Sequence, residues 1–122
     1  MARKHRGKRP YFDADHKARA AKKAGYAARS VFKLEEIDRR VNLLNPGDRV
    51  LDLGASPGSW SAYAAKRIGS SGKLLAIDRK PLTQALPAWA HIIEGDIYEL
   101  EEQLEQEPLI HLPVATYIAT SN

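Results

Sequence analysis

The stretch Asp48-Arg49-Val50-Leu51-Asp52-Leu53-Gly54-Ala55-Ser56-Pro57-Gly58-Ser59-Trp60 leaves the chain few ways to fold. It opens as a short apolar run alternating with charges, β-branched at Val50 and closed by a breaker, which predicts a strand over 49–53. Small residues follow, and Ser59-Trp60-Ser61-Ala62-Tyr63-Ala64-Ala65-Lys66-Arg67-Ile68 then takes helical spacing. Strand, glycine loop and helix in that order open an α/β sheet whose ligand crevice lies outside the carboxyl end of the strand. Glycine has no Cβ, so the backbone of such a loop can be approached closely.

A tight turn alone would explain one Gly-x-Gly. Here an acid, Asp52, sits at the strand end and an aromatic, Trp60, opens the helix. A second strand, Lys73-Leu74-Leu75-Ala76-Ile77-Asp78, also closes on an acid. Asp78 lies about 20 residues beyond the loop, where a carboxylate accepts the hydroxyl protons of a ribose. A nucleoside cofactor is the expectation. A dinucleotide would need Gly-x-Gly-x-x-Gly, with helix amides to hold its pyrophosphate. Pro57 removes one such amide and the third glycine is missing, which argues against a nicotinamide oxidoreductase. The loop suits an adenosine carrying a small charged tail, and S-adenosylmethionine answers that description.

The 122 residues suffice for one domain with a core, but are short for a complete doubly wound sheet. With no cysteine, neither a disulfide framework nor a thiolate metal site is available. His5, His16, His91 and His111 share no metal-ligand spacing, so no metal is expected. No apolar run reaches membrane-spanning length and the N-terminus lacks a signal-peptide core, so a cytoplasmic protein is expected. The net charge of +4 is unevenly placed. Residues 1–40 carry 13 of the 19 Lys and Arg but 5 of the 15 Asp and Glu. A basic arm on an acidic body favours a polyanion, because neutralising phosphates releases counterions. A solubilising or nuclear-address tail is the plainer alternative. RNA contacts are expected from Arg3, Lys4, Arg6, Lys8, Arg9, Lys22, Lys23 and Arg29.

In chain order, residues 1–12 read as a basic disordered arm and 13–122 as the domain. Alanine-rich composition predicts a helix from Asp13 to Lys23, stopped by Gly25. A second helix is expected from Ser30, its N-cap, to about Arg40, burying a stripe of Val31, Leu34, Ile37 and Val41. Asn45-Pro46-Gly47-Asp48 is a turn, and Gly69 ends the helix after the loop. Residues 82–89 read as loop or irregular helix, and Ala90–Glu94 as a third, buried strand. Asp96 then faces the crevice, where an adenine amino group could be met. Tyr98–Gln106 reads as a surface helix. The tail from Glu107 is apolar enough for a fourth strand, though its two prolines oppose a long central one.

Gly25-Tyr26-Ala27-Ala28-Arg29-Ser30-Val31-Phe32-Lys33-Leu34, the loop Asp52–Ser61 with its Pro-Gly-x-Trp, Ala76-Ile77-Asp78 and Glu94-Gly95-Asp96-Ile97 together resemble the FtsJ-like RNA 2′-O-ribose methyltransferases. The resemblance runs from about Gly25 to Ile97. It implies a partial Rossmann-like α/β methyltransferase fold, the N-terminal half of a doubly wound sheet. It implies that S-adenosylmethionine touches Gly58, Trp60, Asp78 and Asp96, and the residue reading adds Asp52, Gly54, Ser56 and Pro57. It also makes Lys33 the first member of a Lys-Asp-Lys-Glu catalytic set. Methyl transfer to a ribose hydroxyl is an in-line displacement that needs a polarised 2′-oxygen. A lysine can meet that need as a neutral base, or as an ammonium beside the developing alkoxide.

The family pattern continues through a strand ending in Ser-Asp-Met-Ala-Pro-like sequence, then a lysine strand and a glutamate strand. Nothing between Glu107 and Asn122 supplies that aspartate. The expectation is therefore a truncated or incomplete form with affinity for the cofactor and for RNA, ribosomal RNA in particular, but little activity alone. A non-enzymatic RNA-binding module on a half-fold is the rival reading. An open sheet edge would also favour a homodimer.

Overall fold

Residues 10–99 and 116–119 are described by the computed structural model. Four strands, β1 (Arg49–Leu53), β2 (Lys73–Asp78), β3 (His91–Glu94) and β4 (Thr116–Ala119), form one sheet in the order β3-β2-β1-β4. All three pairings are parallel, with Leu51 level with Leu75 and Tyr117, and Ala76 level with Ile92. The chain builds outward from β1 through β2 to β3, then crosses back to lay β4 along the far side of β1. That reversal puts a topological switch point at the carboxyl end of β1, where the glycine loop starts.

β4 is the fourth strand that the apolar tail allowed, and the first beyond the switch point of this partial doubly wound sheet. It is four residues long and outermost among the described strands, a place that proline-flanked sequence tolerates.

Strand parity divides the core in two. Val50 and Leu74 face α3 (Ser59–Ile68) with Leu34, Leu44, Ala64, Ala65, Ile68 and Ile118. Leu51, Leu75, Ile77 and Ile93 form a second cluster. Alternate residues of a strand point to opposite faces, so the odd-numbered residues of β1 and the even-numbered ones belong to different layers. β3 departs from its expected burial: only Ile93 is buried, and Ile92 is half exposed, because β3 is an outer strand.

The N-terminal helices also depart from expectation. α1 runs from Pro10 to Lys23 and so takes in three residues assigned to the arm; a proline is admissible in a first turn, where its missing N–H has no intrahelical partner. α2 (Val31–Val41) buries Val31, Leu34 and Asp38, while Ile37 is 37% and Val41 65% exposed. At 100° per residue Ile37 falls roughly 120° around the helix from Val31, off the buried face. Ser30 has helical dihedrals and makes no side-chain cap bond. The amides of Val31, Phe32 and Lys33 are taken instead by the carbonyls of Ala28, Arg29 and Ser30, so a capping hydroxyl is not required. No regular element lies between Asp78 and His91, in keeping with a loop. Of the expected surface helix, residues 97–99 form a turn and the rest lies outside the described residues.

Candidate functional site

The carboxyl ends of β1, β2 and β3 finish level with one another. The amides of Gly54 and Ala55 both donate to the Ile77 carbonyl (2.8 and 3.0 Å), and the Gly95 amide donates to the Asp78 carbonyl (2.8 Å). A cleft of about 390 Å³ opens along this rim, lined among others by Leu53, Gly54, Ile77, Asp78, Asp96 and Tyr98. The structure thus brings together three of the expected cofactor residues, Gly54, Asp78 and Asp96. Asp78 accepts the Ser56 amide at one oxygen (2.9 Å) and the Lys80 amide at the other (2.8 Å). A carboxylate has about four acceptor sites, so two remain for a pair of vicinal hydroxyls. Asp96 accepts the Tyr98 amide (2.9 Å), and its other oxygen is 3.8 Å from Arg79 Nη1.

The other expected cofactor residues hold the loop from beneath or behind. Asp52 has no exposed surface; it accepts the Ser61 hydroxyl at 2.5 Å, under α3. Its even parity with Val50 turns it away from the opposite layer, and that alternation was available in the sequence. Ser56 is buried, its hydroxyl donating to the Pro81 carbonyl at 3.2 Å. The Pro57 carbonyl accepts the amides of Thr83 (3.1 Å) and Gln84 (2.9 Å). Gly58 has φ +110°, and a Cβ there would stand 2.9 Å from Gln84 Cβ, so both backbone and neighbour demand glycine. The Trp60 indole N–H donates to the Ser30 carbonyl at 3.0 Å, joining the start of α3 to the start of α2.

Lys33 stands apart from the cleft. With Lys17, Arg29 and Arg39 it lines a groove of about 770 Å³ on the α1–α2 side, which also carries Glu35 and Glu36. Glu35 pairs with Arg39 one turn along the helix at 3.4 Å, which draws that carboxylate and that guanidinium together. Lys22 and Lys23 are exposed in the last turn of α1. Arg3, Lys4, Arg6, Lys8 and Arg9 lie outside the described residues. Among the described residues no helix is long and apolar enough to cross a membrane, and no group of His, Asp and Glu could hold a metal ion.

Two residues that the sequence reading passed over organise this region. Asp38, 3% exposed, accepts the Leu44 amide (2.8 Å), the Tyr63 hydroxyl (2.8 Å) and Arg67 Nε (2.9 Å). Burial pushes its carboxyl upward, but the Leu44 amide, Tyr63 and Arg67 outweigh that and hold it below the usual carboxylate range. The same pairing, after burial, raises the Tyr63 hydroxyl to about 12. Gln84 accepts the Ala27 amide at 2.7 Å and donates to the Gly25 carbonyl at 3.0 Å, tying the segment before α2 to the glycine loop. A charge on the apolar side of α2 was a readable signal for Asp38. For Gln84 there was none.

The family described as FtsJ-like methyltransferase matches residues 26–119. The ribosomal RNA large subunit methyltransferase E of Sorangium cellulosum is 60% identical over 96 residues, covering 79% of this chain and 45% of the relative. The protein of the same name from Desulfatibacillum aliphaticivorans is 45% identical over 107 residues, covering 88% and 51%. The chain spans about half the length of these curated relatives. Among solved structures, a ribosomal RNA methyltransferase from Plasmodium falciparum superposes with a TM-score of 0.57 at 24% identity, over 79% of this chain and 56% of that one, and so supports the fold. Matched over most of its length, with the parallel sheet and glycine loop in their places, the chain belongs to the FtsJ-like methyltransferase family.

Proposed function

We propose that this chain supplies the cofactor-binding and RNA-gripping half of a methyltransferase that acts on ribose 2′-hydroxyls of large-subunit ribosomal RNA, in the cytoplasm. The observation that carries the reading is the rim itself: exposed Gly54, Asp78 with two acceptor sites to spare, and Asp96 line one cleft beside a switch point, in a chain of this family. S-adenosylmethionine, when bound, supplies an electrophilic methyl group. Asp78 would hold the ribose hydroxyls, Asp96 the adenine amino group, and Gly54 lets the ligand lie against bare backbone. Lys33 is the catalytic residue of this half. Its part is to take or offset the charge that develops on the 2′-oxygen, with Arg29, Lys17 and Arg39 holding adjacent phosphates. Lys22, Lys23 and the arm residues Arg3 to Arg9 extend the same basic surface.

Titration calorimetry with S-adenosylmethionine separates this reading from a purely RNA-binding module, which would give no heat. Incubation with labelled S-adenosylmethionine and undermethylated ribosomal RNA tests the second part. The expected outcome is cofactor binding with little label transfer by this chain alone, and robust transfer would show that the remaining catalytic groups are not needed. Pairing of two copies through an outer strand belongs to the same proposal. A single monomer mass in solution scattering would remove it.

A further inference from the structure

Gln84 lies in the irregular segment after β2 and makes three hydrogen bonds to the backbone of two separate parts of the chain. Its own amide donates to the Pro57 carbonyl, alongside that of Thr83. Its Cβ packs where a side chain at Gly58 would otherwise be. Its side-chain amide accepts the Ala27 N–H and donates to the Gly25 carbonyl, the two groups that flank Tyr26. A primary amide offers a donor and an acceptor side by side, so it can pair with both groups of a short extended segment as a neighbouring strand would. No apolar residue of the same size can do so.

The segment it grips has a second anchor at its far end. Trp60, in the first turn of α3, donates to the Ser30 carbonyl. Gly25 to Ser30 is therefore bracketed by Gln84, which is bonded to the glycine loop, and by Trp60, which follows that loop in the first turn of α3. Between them sits Arg29, which lines the basic groove with Lys33. Gln84 and Trp60 thus tie the groove's segment to the loop end of the sheet through hydrogen bonds.

We infer that Gln84 is a positioning residue that couples occupancy of the glycine loop to the binding of single-stranded RNA in the Arg29–Lys33 groove. The inference rests on the cofactor reading given above and adds a regulation to that site. A ligand that favours this loop conformation also favours the Pro57–Gln84 pairing, and hence the gripped segment. By linkage, RNA held in the groove strengthens the ligand by the same factor. The bistable element is the segment 25–30, held or released at its Gln84 end.

The test measures anisotropy of a labelled single-stranded oligoribonucleotide on the whole 122-residue chain, with and without saturating S-adenosylhomocysteine, whose own affinity is read by calorimetry. The wild-type chain should bind RNA roughly fivefold or more tightly with the ligand present. Gln84→Met keeps the length and packing at Gly58 but not the amide, and should bring that ratio to within about twofold of one while its S-adenosylhomocysteine affinity stays near wild type. Gln84→Glu keeps the acceptor for Ala27 but loses the donor to Gly25, and should lower the ratio as well; either variant decides the matter if the other fails to fold. A full ratio in a folded Gln84→Met or Gln84→Glu chain overturns the inference, since packing would then suffice. Ligand heat with a wild-type ratio of one overturns the coupling and leaves the cofactor reading standing. No ligand heat at all overturns both, and the calorimetry alone tells these cases apart.

Discussion

Asp38, between α2 and α3, and Asp78, at the end of β2, each hold a backbone amide at 2.8–2.9 Å. Asp38 is enclosed and receives a tyrosine hydroxyl and a guanidinium as well, from residues 25 and 29 positions away. Asp78 receives the amides of Ser56 and Lys80 and keeps an open side toward the cleft. The first arrangement satisfies a carboxylate with protein alone and fixes the angle between two helices. The second holds a carboxylate in place while leaving acceptor sites for something else. Both positions look alike in composition; what separates them is how much of each side chain the fold has already used.

Removing Asp38 should give the largest effect. Asp38→Ala leaves the Leu44 amide buried without a partner and Tyr63 and Arg67 without theirs, and should cost about 3 kcal/mol in chemical denaturation. Arg67 is about half exposed, so its share is screened and the amide carries much of that loss. The pH dependence follows from the same group. Its folded pKa is depressed, so its stabilisation is complete above the ordinary carboxylate range and is lost as pH falls through the folded value. Tyr63 is raised to about 12, so its contribution is complete below its ordinary value near 10 and is lost as pH climbs toward about 12. Stability of the wild type should fall at both ends, and Asp38→Asn should flatten both arms. An unchanged alkaline arm in that variant would mean that Tyr63 answers to something other than Asp38.

At the rim the expected effect is on binding. Asp78→Asn keeps one acceptor oxygen for the Ser56 amide and gives up the exposed Lys80 amide, and should cost only about 1 kcal/mol in stability. Its affinity for S-adenosylmethionine should drop about tenfold, which is roughly 1.4 kcal/mol, because a charged acceptor to ribose hydroxyls is lost. If instead the variant unfolds easily and binds normally, the contrast between the two aspartates is reversed.

These two regions were not equally legible. The strand Arg49–Leu53, the loop and the helix Ser59–Ile68 could be read because their signals are local: an apolar alternation, a glycine pair and a helical spacing within twenty residues. The cleft residues Gly54, Asp78 and Asp96 followed, since parallel strands that start from one turn pattern end at one rim. For Asp38 the sequence offered only the charge on the apolar side of α2; its partners Tyr63 and Arg67 come from a different helix, so the cluster itself could not be read. The assumed burial of Ile37 and Val41 failed for the same reason, as the stripe had been drawn through apolar residues alone. The burial of Asp52 under α3 follows from its parity with Val50, which a strand states openly. β4 was hidden by distance: only the crossover reveals that Thr116–Ala119 belongs beside β1.

Ser59 sharpens the contrast at its smallest scale. It is the first residue of α3, wholly buried, and its hydroxyl has no hydrogen-bond partner among the described residues, although it sits next to Gly58 in the loop. A buried hydroxyl without a partner forfeits its hydration and gains nothing in return, a cost of about 1–3 kcal/mol that an alanine would not bear. Ser59→Ala loses little volume and places a better helix former at the helix start. In the ligand-free chain it should therefore be neutral or stabilising by up to about 1 kcal/mol in denaturant titration. The Asp38 carboxylate offers no equivalent gain, because both of its oxygens are already matched. A loss of more than about 1 kcal/mol on removing the Ser59 hydroxyl would show that the loop end of α3 is as fully satisfied as the Asp38 cluster, and the distinction between a finished region and a waiting one would fail there.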